Sequence, residues 1–397
     1  MGDGARRHIG TDERRARLAL RHRLAPAARA AAPEEVADAL VALHGSDPAT
    51  VYLAVGARLA DASVTVEETD RALYGERALV RMHGMRHTVF VFPTALTAVV
   101  HASTGLTVAE RERASLVKAM AAAGAPDAAW LKDVEESALA ALARRGQATA
   151  SELARDEPRL KEQFVYAAGK SYEGVHTVST RLLRVLGVEG KVVRGRPLGS
   201  WTSSQFRWAV APPHPELDPG EAQAELLRRW LGACGPATEA DLKWWTGWTV
   251  TAVRRALAAI RAEAVTLDGG GTGFVVEGDA GPPAASVREP WAALLPALDP
   301  TAMGWQERDW YLAPELRGAL FDRSGNVGPT VWWDGRVVGG WAQRPDGEIV
   351  WRLLDREGVG REAEAAVAAE AERLRGWVGA TRVTPRFRTP LEKELSA

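Results

Sequence analysis

Three polar residues near the N-terminus, His44, Ser46 and Asp47, interrupt an apolar stretch and have side chains that could do chemistry. A neutral imidazole can orient or deprotonate a water molecule, a hydroxyl can hold that water or contact a phosphate, and a carboxylate can stabilise a nearby positive charge. Structural roles are open for the same residues. Asp47 before Pro48 is a common helix start, Ser46 is an alternative cap, and His44 could be a partly buried histidine at a helix end.

A second chemical signal is the local excess of basic residues between positions 181 and 207. One acid, Glu189, stands in this segment against six basic residues: Arg181, Arg184, Lys191, Arg194, Arg196 and Arg207. Because the formal net charge of the chain is -1, a polyanion would have to be attracted by local basic faces. The segment favours a face that follows phosphate groups. The excess of arginine over lysine suits phosphate contacts, although a GC-rich genome would produce the same bias.

An internal repeat predicts the elements that carry these residues. Residues 146–153 and 235–242 both read G-x-A-T-x-x-(E/D)-L, and each follows an amphipathic helix, over residues 131–144 and 222–233. We expect the glycine of each copy to end the first helix in a left-handed conformation. We expect the threonine to cap a second helix and the acid three residues later to complete a capping box.

A third helix and a pair of strands complete each copy of the repeat. The helices are predicted over residues 175–186 and 249–260, and short β-like runs around glycine-rich turns follow each of them. Three helices followed by a β-hairpin is the winged-helix arrangement, whose third helix can enter a major groove. A weaker copy precedes both, with helices over 33–43, 48–59 and 66–73 and strands over 79–82 and 88–92.

The chain after residue 290 has a different pattern. Asp334-Gly335 between two β-rich runs predicts a hairpin, and residues 361–378 predict a long helix. The predicted fold class is therefore α+β, with tandem winged-helix units (a helix-turn-helix plus a β-wing) followed by a C-terminal α+β domain. The predicted boundaries are 1–125, 126–215 and 216–282 for the three units, and 283–397 for the last domain.

Several classes of protein are excluded by what the sequence lacks. The lone Cys234 cannot form an intramolecular disulfide or a thiolate zinc site, which suits a reducing cytosol. There is no apolar run of about eighteen residues, and the arginine-containing N-terminus does not look like a secretory signal. No H-E-x-x-H, C-x-x-C, Walker loop or G-x-S-x-G occurs. We expect a cytoplasmic, nucleoid-associated protein that has no membrane contact.

Five segments together resemble a known family of bacterial winged-helix DNA-binding proteins, the AlkZ/YcaQ-like DNA glycosylases that unhook interstrand cross-links, including the azinomycin-resistance type. The segments are residues 43–48, 85–88, 294–300, Met303-Gly304 with Arg308, and the hairpin 334–341. The resemblance implies tandem winged helices around a DNA channel, closed by a C-terminal β-rich domain. The expected partner is double-stranded DNA, including DNA with bulky alkyl adducts, and we expect a monomer.

The resemblance also implies an activity and a site. In the family's glycosylases, a Gln-aliphatic-Gln or Gln-aliphatic-Asp triplet acts on the sugar of an N7-alkylated purine. The matching positions here are His44, Gly45 and Ser46, so neither glutamine is present. An N7-alkylated guanine is already cationic and leaves with little acid assistance. The remaining tasks are to place a water and to stabilise an oxocarbenium-like sugar, for which no metal or organic cofactor is expected.

We therefore expect a monofunctional DNA glycosylase with His44, Ser46 and Asp47 as catalytic residues. Because both glutamines are missing, a non-catalytic DNA-binding regulator or lesion-binding protein is the alternative. A protein-interaction scaffold is a third reading. Tryptophans 244, 245 and 248 are expected in the core rather than stacked on bases. Arg86, near a predicted turn, could equally be a solvated surface residue. The expected DNA contacts are Arg86, Arg181, Arg184, Arg194, Arg196 and Arg207.

Overall fold

The computed structural model describes residues 6–61, 63–124, 127–167, 169, 173–283, 287 and 289–397. The elements of its first part are β1 (His8–Ile9), α1 (Thr11–Arg21), α2 (Pro33–Leu40), β2 (Leu43–His44), α3 (Pro48–Gly56), α4 (Val66–Asp70), β3 (Leu79–His83), β4 (Val89–Pro93), α5 (Thr97–Val100) and α6 (Leu106–Ala122). Three of the strands form an antiparallel sheet in the order β2-β4-β3.

The two repeat copies each form three helices and a β-hairpin. The first comprises α7 (Ala128–Arg145), α8 (Ala150–Asp156), β5 (Gln163–Tyr166), β6 (Gly174–Thr177), α9 (Val178–Val188), β7 (Val192–Pro197) and β8 (Phe206–Val210). The second comprises α10 (Pro219–Cys234), α11 (Glu239–Thr246), α12 (Val250–Ala259), β9 (Glu263–Leu267) and β10 (Thr272–Val275). The mixed helix and strand content confirms the α+β class.

The repeat's capping chemistry is confirmed in both copies, with one difference at the glycines. Thr149 with Glu152 and Thr238 with Asp241 form reciprocal capping boxes at α8 and α11. Gly146 has φ of 72°, as expected of a left-handed helix end. Gly235 has φ of -68°, so the prediction of a left-handed glycine is wrong there. The chain leaves α10 in an extended conformation, which leads directly into Pro236.

Two pairings were not predicted. Residues 174–177 pair with β5, so α9 begins at Val178 and not at residue 175. At the N-terminus, β1 adds a parallel strand to β9, so a strand from the predicted first unit belongs to the sheet of the third. The predicted domain boundaries stay a prediction.

The elements of the C-terminal part are β11 (Ala292–Leu295), α13 (Arg317–Leu320), β12 (Thr330–Trp333), β13 (Arg336–Gln343), β14 (Ile349–Leu353), α14 (Arg361–Val378) and α15 (Pro390–Leu395). The four strands form an antiparallel sheet in the order β11-β12-β13-β14. The predicted hairpin turn Asp334-Gly335 joins β12 to β13, and the predicted long helix is present over the expected residues.

A buried ion pair ties α3 to this C-terminal part. Arg58 and Asp299 are both 0% exposed, and two guanidinium nitrogens donate to the two carboxylate oxygens at 2.7 and 2.9 Å. Arg58 also donates to the carbonyl oxygens of His22 and Ala54 and to the Thr301 hydroxyl. Since α3 follows directly after His44, Ser46 and Asp47, this network fixes where those residues lie.

We expect Arg58→Met to lower the free energy of unfolding by about 3–5 kcal/mol, because it leaves the Asp299 carboxylate buried without its counter-charge. Adding Asp299→Asn should recover part of that loss, since the uncompensated charge is then removed. Urea denaturation of both variants measures the effect. A loss below about 1 kcal/mol for Arg58→Met would contradict the assigned role of the pair.

Candidate active site and DNA interface

His44 lies on a strand and not at a helix end, because α2 stops at Leu40. It pairs with Phe90 of β4, and the two rings meet edge to face at a centroid distance of 5.2 Å. The residue is 8% exposed and lines an open cavity of about 590 Å³. This short strand therefore places one imidazole at the wall of a cavity large enough for a nucleobase.

The imidazole of His44 is neutral at physiological pH. Burial, and secondarily the charge of Arg86, lower the pKa of His44 to about 4. Its Nδ1 atom accepts a hydrogen bond from the backbone N–H of Ser46 at 3.5 Å. We therefore assign the imidazole proton to Nε2, so His44 would donate a hydrogen bond to a water rather than deprotonate it.

Ser46 and Asp47 do not line this cavity. The Asp47 oxygens accept hydrogen bonds from the backbone N–H groups of Ala49, at 3.1 Å, and Arg386, at 2.8 Å. The carboxylate caps α3, and burial raises its pKa. Ser46 is half-buried, and its carbonyl oxygen accepts a hydrogen bond from the Arg386 guanidinium at 3.3 Å. The structure thus gives Asp47 the capping contacts and brings only His44 into the cavity.

Arginine and tryptophan side chains form the opposite wall of the His44 cavity. The Arg86 guanidinium carbon lies 4.2 Å from the ring centroid of Trp244, and that of Arg308 lies 5.2 Å from it. Arg86 has a left-handed backbone, with φ of 52°, at the turn between β3 and β4. Arg317 also contributes to the lining. Among the described residues, no carboxylate lines this cavity.

The expectation of three core tryptophans holds fully for two of them. Trp245 and Trp248 are buried in the hydrophobic core. Trp244 is half-buried: it packs against the same core and also lines the cavity. It lies on α11 beside Trp245, and adjacent helical residues point in different directions.

The six arginines expected to contact DNA divide into two groups. Arg184, Arg196 and Arg207 form ion pairs with Glu112, Asp70 and Glu152 respectively. In the described part of the chain, Arg86, Arg181 and Arg194 form no ion pair within 4 Å, whereas the first three arginines each do. Arg181 stacks on Tyr166 at 3.5 Å, and Arg194 on Phe206 at 4.4 Å. The second group has its charge available for an anion.

A second cavity, of about 700 Å³, lies where β3 meets β7. Five arginines and no carboxylate from the described residues line it: Arg77, Arg81, Arg194, Arg196 and Arg207.

Arg81, Arg308 and Arg386 were not predicted as site residues from the sequence. Arg81 carried a signal, since a charged residue inside an apolar strand needs a reason, and Arg308 stood in a segment already singled out. Nothing local marked Arg386.

Two functional classes are not suggested by the described residues. No helix there combines the length and apolar character that crossing a membrane requires. Nor do these residues bring three or more His, Cys, Asp or Glu side chains together in a group that could hold a metal ion.

The fold is that of a solved DNA glycosylase. The structure of Streptomyces sahachiroi DNA glycosylase AlkZ superposes with a TM-score of 0.71 at 21% identity, covering 95% of this chain and 98% of that one. Residues 37–377 match the model of the AlkZ-like DNA glycosylases. The chain therefore belongs to the AlkZ-like family, which confirms the family expected from the sequence.

A curated relative gives a shorter match. An interstrand DNA cross-link repair glycosylase of Streptomyces sahachiroi is 30% identical over 181 residues, which cover 44% of this chain. The match spans about half of that relative, 47% of its length.

Buried neutral histidines make a prediction about acid stability. Mainly because of burial, the pKa of His22 and that of His83 are lowered to about 3, and that of His44 is lowered to about 4. In the unfolded chain these groups take up protons near pH 6.5, whereas the folded protein stays unprotonated to about pH 4. Stability should therefore fall as the pH drops below 6.5, by about 1.4 kcal/mol per pH unit for each histidine. Urea denaturation between pH 7.5 and 5 measures this slope, and a flat profile would contradict it.

Proposed function

We propose that this protein is a monofunctional DNA glycosylase that hydrolyses the N-glycosidic bond of N7-alkylated purines in duplex DNA, in repair or in resistance to a genotoxic compound. The observation that carries the proposal is the position of His44. It is neutral and lines a cavity with cationic and aromatic walls. The resemblance in sequence matches it to the first glutamine of the family triplet.

The proposed reaction needs little proton transfer at the base. The bond between N9 and C1′ breaks with its electron pair going to the base, which neutralises the cationic N7-alkylated ring. A water oxygen then bonds to C1′ of the oxocarbenium-like sugar, and its proton passes to solvent. Because the sugar is already strongly electrophilic, the water needs orientation more than deprotonation. The Nε2–H of His44 can supply that orientation.

The DNA interface in this proposal consists of the arginines without ion pairs. Arg86 lines the His44 cavity, Arg194 lines the second cavity, and Arg181 lies on α9, the third helix of a repeat copy. Their guanidinium groups are free to bind phosphate oxygens. Arg184, Arg196 and Arg207 are not part of this proposed interface, because each already forms an ion pair with a carboxylate.

A second candidate function is non-catalytic DNA binding, as in a regulator or a lesion-sequestering protein. One observation favours it: no carboxylate from the described residues faces the cavity, and both Asp47 oxygens are occupied by backbone N–H groups. A cationic sugar would then find no anionic side chain to stabilise it.

The two functions differ in what His44 substitutions change. With duplex DNA containing N7-alkylguanine, we expect His44→Ala to slow single-turnover release of the base by about 100-fold or more, because the oriented water is lost. His44→Gln should keep the rate within about tenfold of wild type, since an amide N–H can donate the same hydrogen bond. Both variants should keep their DNA affinity.

Free base is quantified by liquid chromatography, affinity by fluorescence anisotropy, and folding by thermal denaturation. Binding by the wild type without base release from any alkyl adduct would contradict the glycosylase proposal and support the non-catalytic binder. An equal loss of rate in His44→Gln and His44→Ala would contradict the water-orienting role.

A further inference from the structure

Arg81 is a buried arginine that forms no ion pair with any of the described residues. It is 6% exposed on β3, and its Nη1 donates to the carbonyl oxygen of Gly45 at 3.1 Å. Its Nε and Nη2 atoms are buried and have no hydrogen-bond partner among the described residues. A buried charge with unmet donors is costly unless an anion is bound. Asp47 is near, but backbone N–H groups occupy its two oxygens.

Arg194 lies on β7, which contacts β3; it is half-buried and forms no ion pair with any of the described residues. Its guanidinium carbon lies over the rings of Phe206, at 4.4 Å, and Trp208, at 5.7 Å, which fix its direction. Burial is the main cause that lowers the pKa of Arg194 to about 10, and the charge of Arg81 is the next. Arg184 and Arg386 lower the pKa further, so the guanidinium groups are close enough to repel each other.

Arg386 reaches the same place from the C-terminal segment. Its backbone N–H donates to Asp47, and its Nη1 donates to the carbonyl oxygen of Ser46 at 3.3 Å. The arginines of β3 and of the C-terminal segment thus hold successive carbonyl groups of the turn that follows His44. Among the described residues, no carboxylate oxygen lies within ion-pair distance of Arg81, Arg194 or Arg386. Asp70 and Glu152 already form ion pairs with two other arginines of the cavity, Arg196 and Arg207.

We propose that Arg81, Arg194 and Arg386 bind one phosphodiester group of duplex DNA, the one adjacent to the nucleotide presented to His44. This inference rests on the proposed DNA-directed function and adds which phosphate contact positions the substrate. Guanidinium groups match phosphate oxygens in bidentate geometry. The cavity lined by Arg81 and Arg194 has room for the phosphate group. Arg196 and Arg207 line the same cavity but form ion pairs with carboxylates, so these two arginines serve as internal controls.

The first test compares two arginines of the same cavity. We expect Arg194→Gln to weaken binding of a duplex with a tetrahydrofuran abasic analogue by about tenfold, and to reduce the slope of log K against log salt by about one. Arg207→Gln should leave both unchanged, because its charge is already neutralised by Glu152. Arg386→Gln provides a second variant with the direction expected of Arg194→Gln, should Arg194→Gln fail to fold.

The second test removes the charge from the DNA. A single neutral methylphosphonate is placed at each linkage around the abasic analogue. One linkage next to the analogue should weaken binding by wild type and by Arg207→Gln, with no further effect in Arg194→Gln. If the protein binds DNA but no linkage shows this dependence on Arg194, the phosphate site is overturned while DNA binding stands. Absence of any DNA binding would overturn the proposed function itself.

A free anion is the other source of the same chemistry. Inorganic phosphate and deoxyguanosine monophosphate are therefore tested by thermal shift with the wild type and with Arg194→Gln. Weak or no stabilisation by either, compared with the duplex, supports the assignment to the DNA backbone. Arg194-dependent stabilisation by a free anion, together with a methylphosphonate scan that finds no linkage, would overturn it.

Discussion

The candidate site depends on one constraint: contacts with β4 and with the C-terminal segment together fix the turn from His44 to Asp47. Pairing between β2 and β4 fixes His44, and the backbone N–H of Arg386 fixes the Asp47 carboxylate. A Cβ at Gly45 would be crowded, because it would lie 3.2 Å from backbone atoms of β4. The ion pair of Arg58 and Asp299 adds a further link between the chain after α3 and the C-terminal part, so segments far apart in sequence build the site.

This arrangement explains why the surroundings of the site are cationic. The buried capping carboxylate lines neither of the two cavities, whereas arginines of β3 and β7 line one of them and an arginine of the C-terminal segment contacts the turn. Because the cavity walls are cationic and none of the described carboxylates lines them, they attract a polyanion locally, although the chain as a whole is almost neutral. The same desolvation that makes such a cluster costly keeps His44 neutral, which a water-orienting residue requires.

The sequence predicted what local chemistry decides. Both capping boxes, the Asp334-Gly335 turn and the helix over 361–378 follow from residues close together in the chain. It could not predict the parallel pairing of β1 with β9, because that contact joins segments more than 250 residues apart. At the site, the triplet position singled out His44, which lines a cavity, while its catalytic role stays a prediction.

Which arginines are free, by contrast, depends on tertiary partners. Arg194 and Arg207 look equivalent in sequence, yet Glu152 neutralises only Arg207. Likewise, nothing local distinguishes an Asp47 that faces a cavity from one that accepts two backbone N–H groups. Arg386 reaches the turn across more than 300 residues of chain, so its role appears only in the folded protein.

The position of His44 at the reacting sugar is tested most directly by a crystal structure of the protein bound to a duplex with a single abasic analogue. We expect the sugar of the analogue to lie at the His44 cavity, within reach of Nε2 through one water, with a neighbouring phosphate against Arg194. DNA bound on another face, or a target sugar far from His44, would contradict it.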